Sequence, residues 1–176
     1  AVTHGRQEKG TVYVFASGNE HSNGVDANFG GMLSSRFIIP VGSVGKLGRH
    51  ASYSTAGSML HVSAPGGGHE FSRNHVVAQP RQGGSSSLNE CGDAGVGTSY
   101  ATPMVSGVIA LMLEANSSLT WRDVQGVLAT TSKKTDPTDS SWVTNAAGLH
   151  HSRKYGFGLV DAHAAVTAAK SWISYG

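Results

Sequence analysis

Two short stretches carry residue types that can do chemistry. The first is Gly97-Thr98-Ser99, where a glycine- and serine-rich loop gives way to helical periodicity. A serine there presents its hydroxyl at a helix N-terminus. Unpaired backbone N–H groups and the positive end of the helix dipole stabilise an oxyanion at such a place. The same placement suits a plain helix N-cap, and both readings stay open at this point. The second stretch is Ser17-Gly18-Asn19, which follows an apolar run and can aim an asparagine amide into a cleft. Asn and Gly commonly end strands, so the tripeptide alone is a weak signal. The elbow of α/β-hydrolases needs Gly-x-Ser-x-Gly, and Ala101 stands where its second glycine belongs.

The elements that must position these groups are legible in outline. Residues 11–16, TVYVFA, read as a strand without alternation, which is the pattern of a strand buried on both faces of a parallel sheet. Residues 20–35 are a long polar, glycine-rich loop. Residues 36–44, RFIIPVGSV, form a second strand, with Pro40 pointing to an edge or irregular position. Residues 60–64, LHVSA, form a third, closed by Pro65. From 66 to 98 the chain reads mostly as loop, with a hairpin near Asn74 to Ala78. Residues 99–115 have apolar positions at helical spacing nearly all round, which predicts a buried central helix. Pro103 is expected in about its first turn, and Asn116 to close it in a left-handed conformation. Thr120 with Asp123 is a capping box opening a helix to about Thr131, and Asp161 an N-cap for a helix over 162–172.

Composition narrows the class. With 176 residues, 39% apolar and 14% charged, the chain is a folding sequence of one domain's length, without repeat or linker. The net charge of +2 and the absence of any Lys/Arg run beyond two leave no footprint for nucleic acid. No apolar stretch reaches the ~20 residues of a membrane span. A single cysteine excludes an internal disulfide framework and a CxxC metal site. The sequence opens on Ala1-Val2-Thr3-His4 with neither an initiator Met nor a signal peptide, so the expectation is a piece of something longer.

Taken together, these residues resemble the subtilisin superfamily of serine proteases, most closely the kexin/furin-like branch and its bacterial relatives. The carrying stretches are VYVFASGN (12–19), GTSYATPMVSGVIALMLEAN (97–116), LTWRDVQ (119–125), WVTNAAG (142–148) and YGFGLVDAHAAV (155–166). The resemblance covers essentially the whole chain but only the C-terminal half of such a catalytic domain. It implies a subtilisin-like, three-layer α/β fold with a mainly parallel sheet, and 1–176 as one incomplete domain. It implies a serine endopeptidase acting on polypeptides, with Ser99 as nucleophile and Asn19 as oxyanion group. Ala16, Ser17 and Gly18 would line one wall of the S1 pocket and pair with substrate backbone. The family's Asp and His precede its Ser, so both would lie in an N-terminal half, the partner this chain needs. None of its nine histidines has the His-Gly-Thr context, His4-Gly5-Arg6 coming nearest, and all nine read as surface or structural.

The sequence also departs from that pattern. Branch members that cleave after Arg or Lys carry an acid on the S1 floor, and ungapped alignment puts Gly30 there. The calcium expected beside that pocket in the complete domain would use carboxylates that fall at Val25 and Thr55, leaving Asp26 as the one nearby substitute. A family disulfide falls at Ala27 and Gly57, so both partners are gone together. The resemblance makes Cys91 half of another disulfide, whose partner lies in the other half. That implies an oxidising compartment: secretion, or a secretory-pathway membrane anchored through parts outside this chain. Asn116-Ser117-Ser118 is a glycosylation sequon, and the resemblance leaves room for a P domain after Gly176. The runner-up reading is a catalytically incomplete fragment or pseudoenzyme that binds peptide. A third is an acyl hydrolase acting on esters.

Overall fold

The computed structural model describes residues 1–68 and 96–175, and the backbone alone of 76–78 and 91–93. Three parallel strands carry it: β1 (Tyr13–Ala16), β2 (Ile38–Val44) and β3 (Val62–Pro65), in the order β1-β2-β3. Phe15 lies opposite Pro40, and Val41 opposite Val62. A single turn, α1 (Gly5–Glu8), precedes β1, with Arg6 and Gln7 in the left-handed region. Two 3-10 turns, His21–Asn23 and Ala27–Phe29, shape the loop between β1 and β2.

Residues 11–16 do not form the doubly buried strand their composition predicts. On the side away from β2, β1 has no strand partner among the described residues, and Phe15 remains 37% exposed. Val12 and Val14 pack on the core on one side; all four residues 12–15 border one open groove, and Tyr13 and Phe15 a second. Pro40, in turn, lies in the central strand. Its carbonyl accepts from His61 N–H at 3.0 Å, so its ring nitrogen also faces the β3 side. That point lies just before β3 begins at Val62, where the missing donor costs the ladder little. The third strand thus starts two residues later than predicted.

The helix α2 (Thr98–Ala115) lies across all three strands, α4 (Ala162–Lys170) packs on α2, and α3 (Trp121–Thr131) on α4. The core lies between sheet and helices, with Ile39, Val41 and Val62 facing Val105, Ile109 and Met112. Contrary to the all-round reading, α2 buries only one stripe, Ala101, Val105, Val108, Ile109 and Met112. Met104 and Leu111, on its other side, are exposed. Pro103 falls past the first turn, where its lacking N–H leaves the Ser99 carbonyl without an i+4 donor. Asn116 is extended, not left-handed, at φ −150°. Its side chain ties the helix end down instead, Nδ2 donating to Ala169 C=O at 2.9 Å.

Thr120 and Asp123 form the capping box the sequence announces, and Asp161 accepts from Ala164 N–H at the start of α4. That helix ends at Lys170, two residues short of the predicted Trp172. The buried Asp123 carboxylate also accepts from Tyr175 N–H (2.8 Å), Ser174 Oγ–H (2.8 Å) and Trp172 Nε1–H (3.3 Å). Burial alone would raise its pKa; the hydrogen bonds outweigh that and hold it below the usual carboxylate range. Of the hairpin expected near Asn74 to Ala78, β4 (Val76–Ala78) pairs antiparallel with β5 (Cys91–Asp93); Asn74 and His75 lie outside the described residues. A second antiparallel pair joins β6 (Trp142–Thr144) to β7 (His150–Ser152).

Candidate active site

The carboxyl end of β1 and the N-terminus of α2 meet. As β1 ends, Ser17 N–H donates to Val41 C=O at 3.0 Å. The Ser17 hydroxyl is buried and has no hydrogen-bond partner among the described residues. Gly18 turns the chain at φ +107°. A Cβ there would lie 2.7 Å from Glu20 Oε2 and 2.9 Å from Thr55 Oγ1, so glycine is required on both counts. The Gly18 carbonyl accepts from Thr55 N–H (3.0 Å) and Thr98 Oγ1–H (3.3 Å). With Ser17 N–H and Gly18 C=O taken internally, the backbone groups of Ala16 are the ones that alternation turns to the open side of β1.

The orientation of Asn19 follows from its partner. Its Oδ1 accepts from both Thr98 N–H (2.9 Å) and Thr98 Oγ1–H (3.0 Å), 79 residues away in sequence. The backbone N–H can only donate, so the oxygen of the amide is drawn to Thr98 and Nδ2 is left free to donate elsewhere. Asn19 thereby does the capping at the start of α2. The helix N-cap residue is Gly97, which has no side chain, and Ser99 is the second helical residue. The reading of Ser99 as a mere N-cap is therefore excluded. Ser99 is exposed, and its backbone N–H belongs to the first turn, where intrahelical acceptors are lacking. Gly97 is held from behind: its N–H donates to Gly66 C=O at 2.9 Å, just past β3. The buried Tyr53 hydroxyl, 2.7 Å from that same carbonyl and 2.8 Å from Ser43 Oγ, fixes the junction further, and burial raises its pKa.

A serine at a helix N-terminus beside an asparagine amide whose NH₂ has no hydrogen-bond partner among the described residues suits acyl transfer. The Subtilase family matches residues 1–158. The chain belongs to the subtilase family. Among similar proteins, protease KEX1 of Kluyveromyces lactis is 41% identical over 98% of this chain, and Furin-1 of Xenopus laevis 36% identical over 99%. A PC3-like endoprotease of Hydra vulgaris is 38% identical over 96%. The chain spans only 22–23% of the length of these three relatives. A serine protease of Aeromonas sobria has the same fold, with a TM-score of 0.86 over 99% of this chain and 39% of that one, at 24% identity. A protease of Pseudoalteromonas arctica follows at TM-score 0.69 and 29% identity, over 93% of this chain and 44% of that one. The α/β fold with its parallel sheet is thus subtilisin-like.

In this subtilase the remaining candidates are not gathered at the junction. Gly30 ends the 3-10 turn Ala27–Phe29, and the nearest atoms to a Cβ built there belong to Leu33 and Ala27. Asp26 is already engaged. It caps the same turn through Asn28 N–H (2.9 Å) and pairs with Arg153 at 2.8 Å. Ala27 and Gly57 are neighbours: a Cβ on Gly57 would lie 3.0 Å from that of Ala27. Cys91 sits opposite Ala78 in the β4–β5 pair. Among the described residues, the hydrogen bonds and ring contacts of the histidines are made with residues other than Ser99. His61 bonds Gln125 C=O, His151 bonds Leu60 C=O, and His50 packs edge-on to His21 and Tyr155. Burial pushes His50 and His61 down to about 4, His21 adding to the effect at His50. Sequence reasoning missed Glu20, Tyr53, the two bonds from Thr98 to Asn19, and the contacts of Thr55, which it named only as a calcium position without its carboxylate. Thr98 alone had a signal, its place beside Ser99.

Proposed function

We propose that this subtilase chain is the part of a serine endopeptidase that carries the nucleophile and oxyanion site. Ser99 Oγ attacks the scissile carbonyl carbon and passes its proton to a histidine contributed, with an aspartate, by a preceding segment. Asn19 Nδ2–H and Ser99 N–H hold the tetrahedral oxyanion. Collapse expels the amine, which takes the proton from that histidine, and water then hydrolyses the acyl-serine. The observation that carries this reading is the pinning of Asn19 Oδ1 by Thr98, which commits Nδ2 to donate.

The short span relative to its relatives supports a partial domain, with 1–176 as one incomplete unit. So does the unpaired edge of β1, flanked by grooves of about 480 Å³ and about 410 Å³. A preceding segment would cover that edge and the exposed Met104 and Leu111 of α2. Ala16, Ser17 and Gly18 line the S1 wall, and Gly30 its floor. With no carboxylate at Gly30, and Asp26 held by Arg153, S1 should not demand a basic P1 side chain, because a buried guanidinium needs a compensating charge. The substrate is a polypeptide, the setting a secretory compartment, and Cys91 half of a disulfide there. No described helix is long and apolar enough to cross a membrane.

A serine-directed phosphonate should label Ser99 in the complete domain, and Ser99→Ala should abolish labelling and peptide hydrolysis together. Labelling that survives in Ser99→Ala removes Ser99 from the role. Labelling without hydrolysis of any peptide favours the acyl-hydrolase reading. A catalytically silent peptide binder is favoured by one observation, that among the described residues no histidine hydrogen bond or ring contact is made with Ser99. Peptide binding with no labelling would establish it.

A further inference from the structure

The family resemblance puts two calcium carboxylates beside the turn at Asn19, one at Val25 in the loop that follows it and one at Thr55 beyond β2. Neither position suits a cation. Val25 has no side-chain oxygen and is exposed. Thr55 is buried, and its one hydroxyl accepts from Glu20 N–H (3.0 Å) while donating to Glu20 Oε2 (3.3 Å). The same Oε2 accepts from Asn19 N–H at 2.8 Å, and Thr55 N–H donates to Gly18 C=O at 3.0 Å. Gly18, Asn19 and Glu20 are thus each tied into a network with a single threonine. Of the two carboxylates close to these positions, Asp26 is spent on Arg153 and on its own turn, and Glu20 on Asn19 N–H and the Thr55 hydroxyl.

We propose that Glu20 and Thr55 form a metal-independent brace for the oxyanion turn. They are positioning residues for Asn19, in place of the calcium expected beside this pocket. The inference rests on the endopeptidase reading but has its own structural readout. The two residues divide the work. Thr98 sets the rotation of the Asn19 amide, while the brace fixes the backbone from which that amide projects. Loss of the brace should therefore act on catalysis through Asn19 and leave substrate binding nearly untouched.

In the complete domain containing this chain, Glu20→Ala and Thr55→Val are expected to lower kcat about ten- to a hundredfold with KM nearly unchanged. Glu20→Gln and Thr55→Ser keep the acceptor oxygens and should recover most of that loss. Added to Asn19→Ala, neither brace variant should lower kcat further. Unchanged kcat in Glu20→Ala, failure of Glu20→Gln to rescue, or a loss additive with Asn19→Ala each overturns the proposal. Amide hydrogen exchange gives the second readout. Glu20→Ala should speed exchange at Asn19 relative to Ser63, and EDTA should not. Faster exchange at Asn19 on EDTA treatment means that a cation holds the turn. If the wild-type domain neither cleaves peptides nor takes up the phosphonate, the endopeptidase reading fails. The brace is then judged on exchange alone, and an unchanged Asn19 rate in Glu20→Ala refutes it.

Discussion

The two edges of the sheet are finished differently. On the far side of β3 the chain supplies its own closure. Ser63 N–H donates to Gly158 C=O (2.8 Å), Val160 N–H donates to Ser63 C=O (2.9 Å), and Leu159 exchanges two 2.8 Å bonds with Lys133. On the far side of β1 the described chain supplies no strand. Ser17 N–H points to β2, so by alternation Val14 and Ala16 hold their N–H and C=O groups toward the open side. Unpaired edges of this kind invite strand addition. The lesson is one of division of labour. Among the described residues, the chain's own later segments complete the β3 edge, and the β1 edge, beside which Asn19 emerges, is left open.

Hydrogen exchange should show the largest contrast. In the chain on its own, the Val14 and Ala16 amides should exchange about 10³-fold faster than the Ser63 and Val160 amides, because edge groups open locally and core ladders only globally. Equal protection would mean that β1 finds a partner, a second copy included, and would break the comparison. Ties that the chain supplies within itself should be the costlier to damage. Asp123→Ala leaves the Tyr175 N–H, the Ser174 hydroxyl and the Thr120 N–H without their acceptor. The expected loss is about 3–5 kcal/mol in urea unfolding. A loss below about 1 kcal/mol would show that water replaces the carboxylate.

At the open side, Asn19→Ala should reduce kcat by about 10²–10³, or 2.7–4 kcal/mol, a magnitude taken from a subtilisin oxyanion asparagine rather than derived from this geometry. A rise in KM at constant kcat would mean that Asn19 binds substrate instead. Acid should act on the closed side, through His61 at the approach to β3 and His50 against Tyr155. Both have a folded pKa near 4 and an ordinary value of 6.5, so below 6.5 the unfolded chain takes up protons that the folded chain refuses. Stability is then full above pH 6.5 and falls as pH drops toward 4, by about 1–2 kcal/mol for each histidine by pH 5. Urea midpoints at pH 7 and 5 check this before the carboxylates begin to titrate; a flat profile would mean that water reaches both rings. The smallest effect belongs to Arg153→Ala. Its partly exposed pair with Asp26 should contribute less than about 1 kcal/mol, read from the same urea midpoints.

What the sequence revealed depended on how far apart the interacting residues stand. The Thr120–Asp123 box and the Asp161 cap join residues three apart, so their pattern is written in one stretch of chain. The candidate nucleophile proposed at Ser99 was legible for a similar reason, since Gly97-Thr98-Ser99 is local. The bonds from Thr98 to Asn19, and from Thr55 to Gly18 and Glu20, cross 35 or more residues, and nothing in either segment names the other. Residues such as Met104, Leu111 and Phe15 misled in the opposite sense. Their side chains announce burial, but burial depends on what lies across the interface, and the described chain puts nothing there. Pro40 misled because its lost donor matters only on the side it faces, at a point where β3 has not yet begun.

The clamp on Asn19 also bears on how the site ages. Asparagine deamidates when the backbone nitrogen of the next residue attacks the side-chain carbonyl carbon to close a succinimide. Here the next nitrogen, that of Glu20, is occupied by Thr55 Oγ1, and the carbonyl it would attack is fixed by two bonds from Thr98. Closing the ring would require both sets of bonds to break at once. Deamidation would exchange the amide NH₂, the side chain's donor group, for a carboxylate oxygen, which would repel an oxyanion in the proposed role. The hydrogen bonds that orient the amide are therefore also the ones that keep it an amide.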